Sequence, residues 1–119
     1  MVRRFEKNRP SRALQVWQIL IAAAHNRQLL TYKMLAGLVG YGGAGVFAQI
    51  LGHVAYYCKQ NRLPPLTSLV VNEKTGLPGL GIPVKDTPKK REEVFNYKWF
   101  RIVPPTVEQF REAAERAEG

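Results

Sequence analysis

The reading of this chain turns on residues 61–81, NRLPPLTSLVVNEKTGLPGLG. Pro64 and Pro65 stop the helix that precedes them, since proline has no N–H to give a helical ladder. Leu69, Val70 and Val71 are apolar or β-branched, the make-up of a short strand. Residues 72–76, NEKTG, offer a type I turn closed by Gly76 at positive φ. The return strand is short, because Pro78 cannot donate to a central ladder. The segment therefore predicts a β-hairpin. It holds no His, Cys or Asp, and its one Glu sits in the turn. With nothing there for acid–base or nucleophilic chemistry, the role predicted for the hairpin is geometric.

Upstream lie three helical patterns. Pro10 stands ahead of the first, with Ser11 as N-cap, and Leu14, Trp17, Leu20, Ile21 and Ala24 recur at helical spacing over 12–25. Thr31 caps a second helix with Leu35, Leu38 and Val39 as its stripe, and Gly40 supplies the left-handed end. A glycine-rich turn, GYGGAG, leads to a third helix over 45–60 that carries Phe47, Ile50, Leu51, Val54 and Cys58 on one side. Downstream, Thr87 and Pro88 open a fourth helix, with Glu92 and Glu93 in its early turns. Thr106 caps a fifth, held by Val107, Phe110 and Ala114. Phe95, Tyr97, Trp99 and Phe100 are read as core side chains near Trp17. The fold class is mainly α with a small β-hairpin. The order of elements predicts a winged helix-turn-helix with C-terminal helical additions, the hairpin being the wing. Residues 1–10 read as a basic flexible arm and 11–119 as a single winged-helix domain.

Charge narrows the function. The 119 residues carry a net +9. Residues 1–62 hold nine Lys or Arg against one acid, Glu6, a net of +8; residues 63–119 hold nine against eight, a net of +1. A field gathered on one half of a small chain favours a polyanion. One cysteine allows no internal disulfide and fits a reducing cytoplasm. No apolar run is long enough to span a bilayer, and no small-residue cleavage site marks a signal peptide. Two histidines without clustered Cys or acids make no metal site, so no metal or cofactor is expected. Glu92 and Glu93 are adjacent and point to different sides of their helix. GYGGAG lacks the Lys-Ser/Thr of a phosphate-binding loop and follows a helix rather than a strand.

Residues 31–81 also carry a family pattern. TYKMLAGLVGYGGAGVFAQILGHV followed by LPPLTSLVVNEKTGLPGLG resembles the DNA-binding domain of the alkylguanine-DNA alkyltransferases and the alkyltransferase-like proteins. That resemblance implies a helix-turn-helix that binds duplex DNA from the minor groove and flips a damaged base. In the family a Pro-Cys-His-Arg segment leads into the two valines; here Leu66, Thr67, Ser68 and Leu69 stand there. The Trp of the alkyltransferase-like variants is missing as well, and the family's intercalating Arg falls at Gly45, Val46 or Phe47. The chain is also similar to a set of small bacterial winged-helix proteins sharing LPPLT…VVN…TGLPG and a VFNYKWF tail. Alkyl transfer needs an activated thiolate. Cys58, on an apolar stripe, is read as packing, so no catalytic residue and no enzyme activity is expected.

The expected partner is double-stranded DNA, bound mainly through phosphates, with limited sequence or lesion preference. The residues assigned to it are Arg3 and Arg4 of the arm, Tyr32 and Lys33 at the start of the second helix, Gln49, His53, Tyr56 and Lys59 on the outer stripe of the third, Arg62 just after it, and Lys74 at the tip of the turn. Two alternatives stand beside this. One is a winged-helix module for a protein partner or homodimer; the other is a damage sensor that flips bases without repairing them. A cytoplasmic location, with the nucleoid when DNA-bound, is the matching expectation.

Overall fold

Asn8, rather than Ser11, starts the first helix. Its Oδ1 accepts from the Ser11 N–H at 2.9 Å, and α1 runs Arg9–His25. Pro10 fits the first turn, where its missing N–H has no helical acceptor to lose. The helix thus takes two residues from the expected arm. The computed structural model describes residues 8–40, 44–76 and 87–118. Residues 1–7 of the arm, and the segment after Gly76 predicted as the return strand, lie outside them.

α1 ends in a Schellman arrangement: Gln28 N–H donates to Ala23 O at 2.9 Å and Arg27 N–H to Ala24 O at 3.1 Å, with Arg27 at φ +54°. A two-residue strand β1, Leu30–Thr31, leads straight into α2, Tyr32–Val39. Thr31 caps α2 by accepting from Met34 N–H at 3.1 Å, and Gly40 closes it at φ +80°. Both ends follow the sequence prediction. α3 spans Ala44–Gln60 and ends as α1 does: Leu63 N–H reaches Cys58 O at 2.8 Å across Arg62, which sits at φ +56°.

The hairpin is where prediction and structure part. Val70–Val71 does form a strand, β2, but among the described residues it pairs with β1, in parallel, Leu30 opposite Val70 and Thr31 opposite Val71. Parallel pairing needs a long crossover, and α2 and α3 provide it. Leu69 is not strand: it closes a 3-10 turn, Leu66–Leu69, that is wholly buried. Core burial outweighs strand propensity there. The turn 72–76 forms and closes on a left-handed Gly76 as predicted, but its hydrogen bond spans i to i+4 rather than the i to i+3 of a type I turn. Gly76 N–H donates to Asn72 O at 2.8 Å, Gly76 lies at φ +68°, and Lys74 N–H donates to Asn72 Oδ1 at 2.8 Å.

α4 covers Thr87–Asn96, one residue ahead of the predicted start; a second 3-10 turn, Trp99–Arg101, follows, and α5 spans Val107–Glu118. Thr106 and Gln109 form a reciprocal capping box, Gln109 N–H to Thr106 Oγ1 at 3.1 Å and Thr106 N–H to Gln109 Oε1 at 2.8 Å. The described residues thus make a compact, mainly α domain of five helices with one tiny parallel sheet.

α1, α3 and α5 pack on one another, and α3 supplies Phe47, Ile50, Leu51, Val54 and Cys58 to the core. Trp17 of α1 is the hub. Its ring meets Tyr57 at 5.6 Å, Trp99 at 5.5 Å and Phe110 at 6.0 Å between centroids. Trp99 Nε1 donates to Val94 O at 2.8 Å, so its one polar atom is paired inside the core. Three side chains assigned to the core depart from it. Leu38 is 66% exposed and Phe100 65%, because the elements packed on α2 and on the second 3-10 turn cover only the opposite side of each. On α5 it is Ala113, not Ala114, that is fully buried beside Phe110. No helix among the described residues is long and apolar enough to cross a membrane.

Candidate nucleic-acid interface

The surface assigned to DNA is built on α2, α3 and the 72–76 turn. Lys33 is exposed in the first turn of α2. Tyr32 beside it is half-buried, its ring edge-on to Phe47 at 4.9 Å, and burial pushes its phenol above the usual tyrosine range. Its ring is therefore a packing group that leaves only part of its surface outside.

On α3, Gln49, Tyr56 and Lys59 are exposed, as the stripe predicts. His53 is not. It keeps only 9% of its surface, and its Nδ1 lies 2.7 Å from Gln49 O one turn back. A carbonyl oxygen only accepts, so Nδ1 carries the proton. The position falls at the margin between the buried and open sides of α3, and the ring folds back along its own helix. Tyr56 also lies along the helix: a Cβ on Gly52 would stand 3.5 Å from its ring, and Gly52 is buried beneath it. The open face of α3 thus offers Gln49, the Tyr56 ring and Lys59, with half-buried Ala48 and Ala55 between them.

Arg62 follows at the C-terminal end of α3, exposed and in the left-handed region. Lys74 is exposed in the turn, beside Glu73. Arg3 and Arg4 lie outside the described residues.

Arg91, in the first turns of α4, anchors this surface. Its Nε donates to Ser68 O and its Nη2 to Gly76 O, both at 2.9 Å, so α4 holds both ends of the β2 segment. Burial lowers its pKa from the ordinary guanidinium value. Its partners are backbone carbonyls, which no side-chain pattern could announce.

Ion pairing divides the charges. Every ion pair among the described residues takes its acid from α4 or α5: Glu92 with Arg27 at 2.8 Å, Glu93 with Lys90 at 3.3 Å, Glu112 with Arg116 at 3.8 Å, and Glu108 with Arg111. Lys33, Lys59, Arg62 and Lys74 enter none of them.

Cys58 is 1% exposed, and burial pushes its thiol up to about 12, against a smaller opposing hydrogen bond from the Leu66 backbone. It is a neutral thiol at physiological pH. Thr67 and Ser68 are buried too, and their hydroxyls have no hydrogen-bond partner among the described residues. No group of three His, Cys, Asp or Glu among the described residues could hold a metal ion. No protein-family model, no curated protein and no solved structure matches the chain.

Proposed function

We propose that this chain is a non-catalytic double-stranded DNA-binding protein of winged helix-turn-helix type, α2 and α3 forming the helix-turn-helix and the 72–76 turn the tip of the wing. The observation that carries the reading is the division of charge. Four of the six acids of α4 and α5 are paired with cations, while Lys33, Lys59, Arg62 and Lys74 stand exposed, in no ion pair among the described residues, on α2, the end of α3 and the turn. Cations left in that state gain most from phosphates, whose condensed counterions are released on binding. Arg62 adds weight. A left-handed residue is best served by glycine, and an arginine there with no ion pair among the described residues favours a ligand-facing role over a structural one. Gln49 is the one exposed side chain of the α3 stripe shaped for a bidentate base contact, so phosphate contact outweighs sequence reading.

Binding to a random duplex across a salt series tests this. With about five phosphates neutralised, the log–log slope is about −4 to −5. Lys59→Ala lowers affinity evenly across sequences and shallows the slope by about one unit, while Arg111→Ala, which removes an ion-paired cation, leaves both unchanged. A flat salt response sinks the proposal.

A second reading rests on a different observation. Met34, 56% exposed, and Leu38 lie one helical turn apart on the open side of α2. An apolar pair there favours a protein partner or a second copy of the chain. Duplex binding that survives Leu38→Asp while a dimer or a captured partner is lost would assign α2 to that role.

A further inference from the structure

A cavity of about 420 Å3 opens where α4 meets the second 3-10 turn, and the duplex reading makes no use of it. Phe95, Tyr97, Trp99 and Phe100 contribute its aromatic lining, Asn96 an amide, and Lys98 and Arg101 two cations; His25 of α1 closes it, and no acid lines it among the described residues. The backbone that presents these groups is braced. Trp99 N–H donates to Tyr97 O and Arg101 N–H to Lys98 O, both at 3.0 Å, and the Trp99 side chain is anchored between Val94 O and Trp17. With Trp99 buried, the next residue is turned outward. Phe100 stands 65% exposed, edge-on to His25 at 5.8 Å, between two exposed cations that enter no ion pair among the described residues.

Phe100 is thus one of the most exposed large apolar side chains among the described residues. On α4, Glu93 is paired with Lys90 and Glu92 with Arg27, whose guanidinium also lies 4.8 Å from the centre of the Phe95 ring. The cavity thus joins two cations to an aromatic lining, with no acid among the described residues that line it. A carboxylate-bearing peptide would need only the cations. A single nucleic-acid strand would use every feature: the ring face for a base, the amide for a base edge, and the cations for the phosphates on either side. We infer that this cavity binds unpaired nucleotides of a single strand, Phe100 stacking on a base while Lys98 and Arg101 hold the flanking phosphates. The site goes beyond the duplex interface and shares no residue with it.

The test uses the full chain and a labelled oligothymidylate of about eight nucleotides, beside an abasic strand of equal length and charge. Wild type binds the thymidylate more tightly than the abasic strand. Phe100→Ala weakens thymidylate binding by about 5- to 150-fold, the range of base–aromatic stacking, and leaves abasic and duplex binding unchanged. Phe100→Tyr keeps the preference. Lys98→Ala and Arg101→Ala weaken both strands and each shallow the salt slope by about 0.7. Phe100 is exposed, so these variants keep the fold. Equal thymidylate affinity in wild type and Phe100→Ala overturns the inference, as does wild type that fails to prefer thymidylate over the abasic strand. A Phe100-dependent interaction with an acidic peptide in place of the strand overturns it in favour of a protein partner. Loss of duplex binding in Lys59→Ala with thymidylate binding intact separates the two surfaces, so either can fail alone.

Discussion

At the scale of single residues, Cys58 and Arg62 show what side-chain identity alone conveys. The apolar stripe of α3 marks Cys58 as core, and it is buried, with its thiol raised from 9.0 to about 12. The sign of the pH effect follows. The folded state holds this proton more tightly than the unfolded chain does. The stability it contributes is complete below about 9 and is lost as pH rises towards 12. Denaturant melts of Cys58→Ala against wild type should therefore differ by roughly 1 kcal/mol at neutral pH. The gap should shrink as pH climbs past the unfolded thiol's range, and a gap independent of pH would contradict the burial. Arg62 carries information that its identity hides. At φ +56° it occupies a position that glycine fills without strain. Arg62→Gly should stabilise the fold by about 0.5–1 kcal/mol, read as a higher urea midpoint at unchanged m-value. On the duplex reading it should also weaken DNA binding. Opposite signs in the two measurements mark a residue kept for a ligand; a fall in both would mark a structural one.

At the scale of elements, helix ends were the most legible feature. Thr31, Gly40 and Thr106 act through partners three or four residues away, so short motifs suffice to place them. Asn8 escaped because Ser11 is an equally good cap by composition, and only the geometry around Pro10 separates them. The β2 segment was legible as strand and turn but not in its pairing, since its partner β1 lies some forty positions earlier. Arg91 is the long-range counterpart of a cap. Arg91→Ala removes two charged hydrogen bonds to carbonyls and should cost about 2 kcal/mol. It should also speed amide exchange at Lys74 and Gly76 more than at α1. Gly76→Val reaches the same turn by another route. No atom lies within 4 Å of its added Cβ, so its cost is the backbone alone, about 1–2 kcal/mol. If exchange in the turn is unchanged in Arg91→Ala, α4 is not what holds it.

At the scale of the whole molecule, Trp17 joins α1 to α3, the second 3-10 turn and α5 through three ring contacts. Trp17→Ala should cost about 3–5 kcal/mol, a large share of what a small domain has. Near- and far-ultraviolet dichroism should melt together, because the ring sits where all four elements meet. Independent melting of α5 would show that the C-terminal helices are a separate unit. The sequence by itself determined the five helices, the caps Thr31, Gly40 and Thr106, the left-handed Gly76, the core stripe of α3 and the imbalance of charge. Each of these is a matter of spacing within one or two turns of chain, where local sterics and hydrophobic periodicity act. Only the tertiary structure decided that β2 pairs in parallel with β1, that His53 folds inward, that Leu38 and Phe100 stay outside, and that Arg91 binds two distant carbonyls. Those outcomes depend on which surfaces meet when the helices pack. A residue at the margin of an amphipathic stripe takes its burial from its neighbour across the interface, and that neighbour is not written next to it in the chain.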